Sequence, residues 1–226
     1  MGTNELTVIY YTSNRECEEF EKRVRDNILE VCGGLPIISV SQKPIDFGQN
    51  IVVGDVGSSG FNMFRQVMIA CQEATTRFVV SAESDCLYPP DYFQFIPPRD
   101  DRCYRNSNLY VMPQHRTFFW RKGEGATHAQ VINREFYLNR LVQLFKGAPQ
   151  WSVEEKNFPK ERLRKDDVFG SSKIEYYETI NPVVQIKTSQ SMRHYTNSDR
   201  IDRHELPYWG TGVQFRDKYY NIGRRH

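Results

Sequence analysis

No C-x-x-C pair occurs in this chain, and its five cysteines, Cys17, Cys32, Cys71, Cys86 and Cys103, are odd in number. That spacing excludes a structural zinc site and argues against a disulfide framework, so reduced thiols in an intracellular protein are expected. Also missing is any apolar run approaching a membrane span, and the first six residues lack the basic-then-apolar order of a signal peptide. A soluble, cytoplasmic protein with no membrane partner is the expectation. Neither charge sign dominates: the formal net charge is +2, so bulk charge does not mark a nucleic-acid binder. From Lys187 onward eight Lys/Arg stand against four Asp/Glu, a mild basic bias at one end. The sequence contains no internal repeat, linker or low-complexity block. With 226 residues, 39% apolar and 26% charged, one large domain with its own core is expected over 1–226.

What the chain does have is a short apolar run, Phe78-Val79-Val80-Ser81-Ala82, leading into Glu83-Ser84-Asp85. β-branched residues bounded by polar ones read as a buried strand. Glu83 and Asp85 stand at i and i+2, so in extended backbone their carboxylates point the same way. Two acids converging at the carboxyl end of a sheet strand suit a divalent cation bound together with phosphate oxygens; a solvated strand end is the plain alternative.

The flanking pattern supplies context. Leu6-Thr7-Val8-Ile9-Tyr10-Tyr11 predicts a strand, and Ser13-Asn14-Arg15-Glu16 matches a capping box ahead of a helix carrying Phe20, Val24, Ile28 and Val31 on one face. Pro36-Ile37-Ile38-Ser39-Val40 predicts a second strand, parallel to the first by the β-α-β order, and Ile51-Val52-Val53 is a further short apolar run. A helix with Phe64, Val67, Met68, Cys71 and Ala74 on one face then leads into the run at Phe78. Later, Cys103 through Met112 reads as one strand, Thr117 through Trp120 as another, Gln130 to Lys146 as a helix, and Asn181 through Ile186 as a late strand. From Thr188 to His226 the chain is aromatic, basic and irregular.

Gly54-Asp55-Val56-Gly57-Ser58-Ser59-Gly60 precedes the second helix and suits a phosphate cradled on backbone N–H groups. Its glycines run G-x-x-G-x-x-G rather than G-x-G-x-x-G, and no Gly-Lys-Ser/Thr closes it. A Rossmann-type enzyme using NAD or S-adenosylmethionine stays open as a rival, as does a nucleotidyltransferase, although Tyr11-Thr12-Ser13-Asn14 puts no glycine after the first strand.

This order of elements, closing on Ala82-Glu83-Ser84-Asp85-Cys86-Leu87-Tyr88, resembles the nucleotide-sugar glycosyltransferases of the GT-A fold, family 2-type, including small phage-encoded members. The resemblance implies an α/β fold: a single, Rossmann-related GT-A-like domain with a mostly parallel central sheet flanked by helices and an irregular C-terminal segment. Its nucleotide-binding part would cover about residues 5–112, and its acceptor and C-terminal part about 113–226. It further implies that Asp85 ligates Mn²⁺ or Mg²⁺, with Glu83 nearer the ribose or reaching the metal through water. Tyr11, Thr12, Arg15, Arg65 and Ser84 would bind the donor, most readily a UDP-sugar. Asp166 and Asp167 would be the catalytic acidic pair, Asp167 acting as general base, and His194 would add a metal ligand. Departures are visible: Glu83 replaces an Asp, and Asp167, after Arg162, Arg164 and Lys165, also suits a helix cap. A lone His194 also suits a structural role, and His128 reads as structural.

The reaction implied is transfer of a sugar from a nucleoside diphosphate donor to a hydroxyl acceptor, with inversion. Phage members glycosylate hydroxymethylated bases, so double-stranded DNA with modified bases is an acceptor candidate, in the host cytoplasm if the chain is phage-encoded. The basic C-terminal bias would suit a phosphate backbone.

Overall fold

A computed structural model describes residues 5–154, 169, 171–192 and 197–220. Asp166, Asp167 and His194 lie outside the described residues.

The chain opens as the β-α-β pattern predicts. Strand β1 (Leu6–Thr12) is followed by helix α1 (Glu18–Val31), β2 (Ile37–Ser41), β3 (Gln49–Val52), α2 (Gly60–Glu73) and β4 (Phe78–Glu83). β1 pairs in parallel with β2 on one side and with β4 on the other, and β2 pairs in parallel with β3. β1 is buried along its whole length because both of its faces are covered. Leu6, Val8 and Tyr10 pack into one core with Phe20, Val24 and Ile28 of α1; Ile9 and Tyr11 pack into the other with Phe61, Phe64 and Val67 of α2. Period-2 alternation thus feeds two cores from one strand.

The second half extends this sheet and builds another. β6 (Cys103–Asn106), β9 (Gln130–Asn133) and β10 (Ile174–Tyr177) complete a seven-stranded sheet of order β10-β6-β9-β4-β1-β2-β3. Only β9 runs antiparallel to its neighbours. β5 (Cys86–Leu87), β7 (Leu109–Pro113), β8 (Trp120–Arg121) and β11 (Val183–Lys187) form a four-stranded sheet of order β5-β11-β7-β8. The mostly parallel α/β architecture agrees with the sequence expectation.

Several elements differ from it. Cys103 through Met112 is two strands in two sheets, because Asn106 and Asn108 take over the backbone between them. Asn106 Oδ1 accepts from Asn108 N at 2.9 Å, and Asn108 Nδ2 donates to Thr179 O at 2.9 Å. Gln130 to Asn133 is strand β9 rather than helix. Asn133 then caps α3 (Arg134–Leu144), its Oδ1 accepting from Phe136 N at 2.9 Å. Helix α1 is not capped by Ser13: its N-cap is Cys17, without a side-chain cap, and Asn14 adopts φ 53°. Asn14 Oδ1 instead accepts from Gln42 N and Lys43 N, each at 2.9 Å, tying the β1 loop to the end of β2. The tail is not wholly irregular. α4 (Gly212–Tyr219) forms behind a Thr211–Gln214 capping box and contributes Phe215 to the core.

One buried acid lies beneath the first loop. Glu21 of α1 is 1% exposed, accepts from Thr12 Oγ1 at 2.9 Å, and has Arg25 Nη1 3.6 Å away. Burial outweighs both partners and raises its pKa from 4.5 to about 7. The folded chain therefore holds a proton that the unfolded chain releases near 4.5, and stability falls as pH rises from there to about 7. The Glu21 contribution to that fall is roughly 3 kcal/mol. Glu21→Gln keeps the acceptor for Thr12 and removes the titration. Its melting temperature relative to the parent should rise between pH 5 and pH 8; a difference independent of pH would refute the assignment.

Candidate active site at the end of strand β4

In an open parallel sheet, a crevice forms where successive connections leave in opposite directions from a shared strand. Here that point lies between β1 and β4, since β2 and β3 continue to one side of β1 and β4 returns on the other. Tyr11 and Glu83 are register partners there, at the carboxyl ends of the two strands. The Tyr11 hydroxyl donates to Glu83 Oε1 at 2.9 Å, and Glu83 N donates to the Tyr88 hydroxyl at 2.9 Å. Beyond Glu83 the backbone is not extended: Ser84 and Asp85 form a turn into β5, which carries the chain to the second sheet. The two acids are therefore separated by the start of a turn and do not lie along one face of a strand.

The second sheet supplies the opposite wall. Residues directly opposite on paired strands share a face, as do alternate residues along a strand. Gln185 is opposite Cys86 and Val111, and Val111 is opposite Trp120. Cys86, Gln185, Lys187 and Lys122 consequently lie on one face, Lys122 held by its N–H to Leu109 O at 2.8 Å. Gln185 Nε2 donates to Asp85 Oδ2 at 3.0 Å, and the Cys86 thiol donates to Asp85 Oδ1 at 3.2 Å. Ile186 N also donates to Asp85 O at 2.8 Å, so the turn is fixed by backbone and side chain alike.

Charges of both signs share this half-buried space. Glu83 is pushed up, chiefly by burial and then by Asp85, while the Tyr11 hydrogen bond and Lys187 and Lys122 oppose the rise. Lys122 is pushed down by burial and by Lys187. The Cys86 thiol is raised by burial and by both acids, so it stays protonated. His128 is driven well down by burial and then by the two lysines, which leaves a neutral ring whose Nε2 has no hydrogen-bond partner. Glu83, Cys86 and His128 offer ligand atoms all within 4.8 Å of one another.

These groups fit a divalent cation. The Asp85 charge raises the proton affinity of Glu83, an effect that a positive ion relieves, and carboxylate oxygens are the hard donors that Mg²⁺ and Mn²⁺ prefer. Glu83 and Asp85 offer oxygen atoms for such an ion and His128 a neutral nitrogen, whereas Cys86 as a neutral thiol is a poor donor.

The other sequence candidates are engaged in contacts of their own. Thr12 is buried and its hydroxyl is spent on Glu21. Arg15 reaches Gln190 Oε1 at 3.4 Å on the surface. Arg65 stacks over Phe145 at 3.8 Å and donates to Pro149 O at 2.6 Å, so its guanidinium anchors the end of α3. The glycine loop at 54–60 is not a phosphate cradle. It follows edge strand β3, and Ser59 Oγ donates to Ser152 O at 2.6 Å while Ser152 N donates to Asn62 Oδ1 at 2.8 Å. A Cβ on Gly57 would lie 2.5 Å from Val153 Cγ1, so the helix N-terminus is already covered by the chain.

Lys122, Gln185, Lys187, Cys86 and His128 were not singled out from sequence. Val184-Gln185-Ile186-Lys187 does carry a signal, a polar stripe of period two in an apolar strand. Lys122 carries none, because β-pairing alone brings it near Asp85.

No protein-family model and no curated protein matches the chain. Solved structures do. They include a glycosyltransferase involved in the glycosylation of the major capsid of PBCV-1, at 13% identity and TM-score 0.49 over 82% of this chain and 95% of that chain. Residues 1–349 of S. aureus TarS in complex with UDP-GlcNAc match at 12% identity and TM-score 0.50, over 84% of this chain and 60% of that chain. The mannosyltransferase PcManGT from Pyrobaculum calidifontis in complex with GDP-Man and Mn²⁺ matches at 16% identity and TM-score 0.46, over 84% and 58%. The TarS likeness assigns the fold, which is GT-A-like. Among the described residues no helix is long and apolar enough to cross a membrane.

Removing the Tyr11 hydroxyl takes away a donor that favours the charged form of Glu83. Tyr11→Phe should raise the Glu83 pKa further, read as the carboxyl ¹³C titration of the metal-free protein. A midpoint that stays put or drops would show that this bond does not support the Glu83 charge.

Proposed function

We propose that the chain is a nucleotide-sugar glycosyltransferase. The observation that carries this reading is the placement of Glu83 at the β1–β4 crevice of a GT-A-like sheet, with Asp85 fixed in the turn that follows it. UDP-GlcNAc in the TarS complex supports a nucleoside diphosphate sugar as donor, UDP-sugars first. Residues 5–112 would form most of the donor side, and 113–226 the acceptor side.

Asp85, with Glu83 beside it, would hold Mn²⁺ or Mg²⁺, an ion that when bound neutralises charge on a leaving diphosphate. The protein's own part is positioning. Gln185 and Cys86 fix the Asp85 carboxylate, and Tyr11 fixes Glu83. Held this way, neither carboxylate must reorganise as charge develops. Ser84 in the same turn, and Tyr11, Thr12 and Arg15 around the β1 loop, would bound the nucleotide. Arg65 would act only by holding α3 in place. An inverting reaction needs a carboxylate to take the acceptor proton. Asp167, with Asp166 beside it, is proposed for that role from the family resemblance, and His194 for a further metal contact on the same ground.

The acceptor bears a hydroxyl. A hydroxymethylated base in double-stranded DNA would need free cations on the C-terminal side. Several there are engaged: Arg203 with Asp199 at 2.7 Å, Arg121 with Glu178 at 2.8 Å, and Arg200 over Trp120 at 4.4 Å. Retention on DNA that is indifferent to salt would exclude this acceptor.

Screening UDP- and GDP-sugars for nucleoside diphosphate release, with Mn²⁺ or with EDTA, tests the main reading. Release should need the metal, and Asp85→Ala should lower it by about 100-fold or more with an unchanged unfolding transition. Release that survives both EDTA and Asp85→Ala would refute it.

A further inference from the structure

The second sheet brings two ammonium groups to the acidic turn, and the hydrogen bonds described above do not employ either. Lys122 and Lys187 come from β8's end and from β11, strands separated by β7. They share the face that bears Gln185 and Cys86. Each acts electrostatically on Glu83, and Lys122 feels both Glu83 and Asp85. Yet neither Nζ forms an ion pair with a described residue. The bonded partners of the carboxylates are instead Tyr11, Gln185 and Cys86. Pure charge balance would be served best by direct Lys–carboxylate pairs. Two like charges on one sheet face, without an ion pair among the described residues, fit an anion with several separated oxygens.

We infer that Lys122 and Lys187 grip the non-bridging oxygens of the donor diphosphate, from the wall facing Glu83 and Asp85. This rests on the glycosyltransferase reading and assigns the phosphate contacts within it. The division of labour is electrostatic: the acids take the cation, and the lysines take phosphate oxygens that the cation leaves uncovered. Two carboxylates and two ammonium groups carry no net formal charge together, so a neutral metal–nucleotide-sugar pair would add no charge imbalance. In this scheme the lysines are binding residues for the donor, and their loss acts on nucleotide affinity rather than on metal capture.

That split supplies the test. Mn²⁺ binding alone and UDP binding at saturating Mn²⁺ are measured by calorimetry for the parent, Lys122→Met, Lys187→Met and the two Lys→Arg variants. Losing one charge-assisted contact should weaken UDP about tenfold in each Met variant. Mn²⁺ alone should bind as tightly as in the parent or more tightly, because a repelling cation has gone. Arg should restore most of the UDP affinity and keeps the test valid if a Met variant fails to fold. UDP affinity within twofold of the parent in folded Met variants would overturn the assignment, leaving the lysines as distant counter-charges. A parent protein that binds Mn²⁺ but neither UDP nor GDP would instead sink the donor reading, and the assignment with it.

Discussion

Parallel pairing of β1 with β4 is the constraint on which the site depends. It puts Tyr11 opposite Glu83, and the hydroxyl-to-carboxylate bond at 2.9 Å follows from that register. A slip of one residue would turn Tyr11 out of the α2-side core and Glu83 away from the crevice together. The register is held by burial on both faces of both strands, since Val8 and Val80 feed one core while Ile9 and Val79 feed the other. Fixing a polar pair by a hydrophobic register is robust: many buried apolar side chains, each contributing about 1.5–3 kcal/mol, position one hydrogen bond worth about 1 kcal/mol.

The second constraint is the turn at Ser84-Asp85. By leaving one sheet and entering the other within two residues, it makes Asp85 the corner that both sheets touch. Gln185, Cys86 and the Ile186 amide then hold that corner from the second sheet. Ionisable groups of both signs share the resulting half-buried volume, where a reduced dielectric amplifies each interaction relative to water. Burial is the first cause of both shifts, pushing Glu83 up and Lys122 down, while the opposite charges nearby work against them.

Much of the first half was legible because its signals are local. Periodicity placed β1, α1, β2, α2 and β4, and the β-α-β order gave the parallel sense. Where the reading slipped, a side chain had taken a long-range partner in place of the local one. Ser13 does not cap α1, because Asn14 binds the end of β2 instead. The glycine loop does not cradle an anion, because Ser152 and Val153 cover it from 90 or more residues away. Cys103 through Met112 looked like one strand, because nothing in its composition says that Asn106 and Asn108 bind Thr179 and divide it.

By itself the sequence determined the α/β class and the acidic pair at a strand end, since each follows from periodicity and spacing within a few residues. Tertiary structure alone decided which partners meet that pair. Lys122, His128, Gln185 and Lys187 are about 35 to 105 positions away in the chain, and no local pattern couples them to Glu83 and Asp85. Their convergence comes from strand order and register, which are set by the packing of two cores and not by any motif at the site.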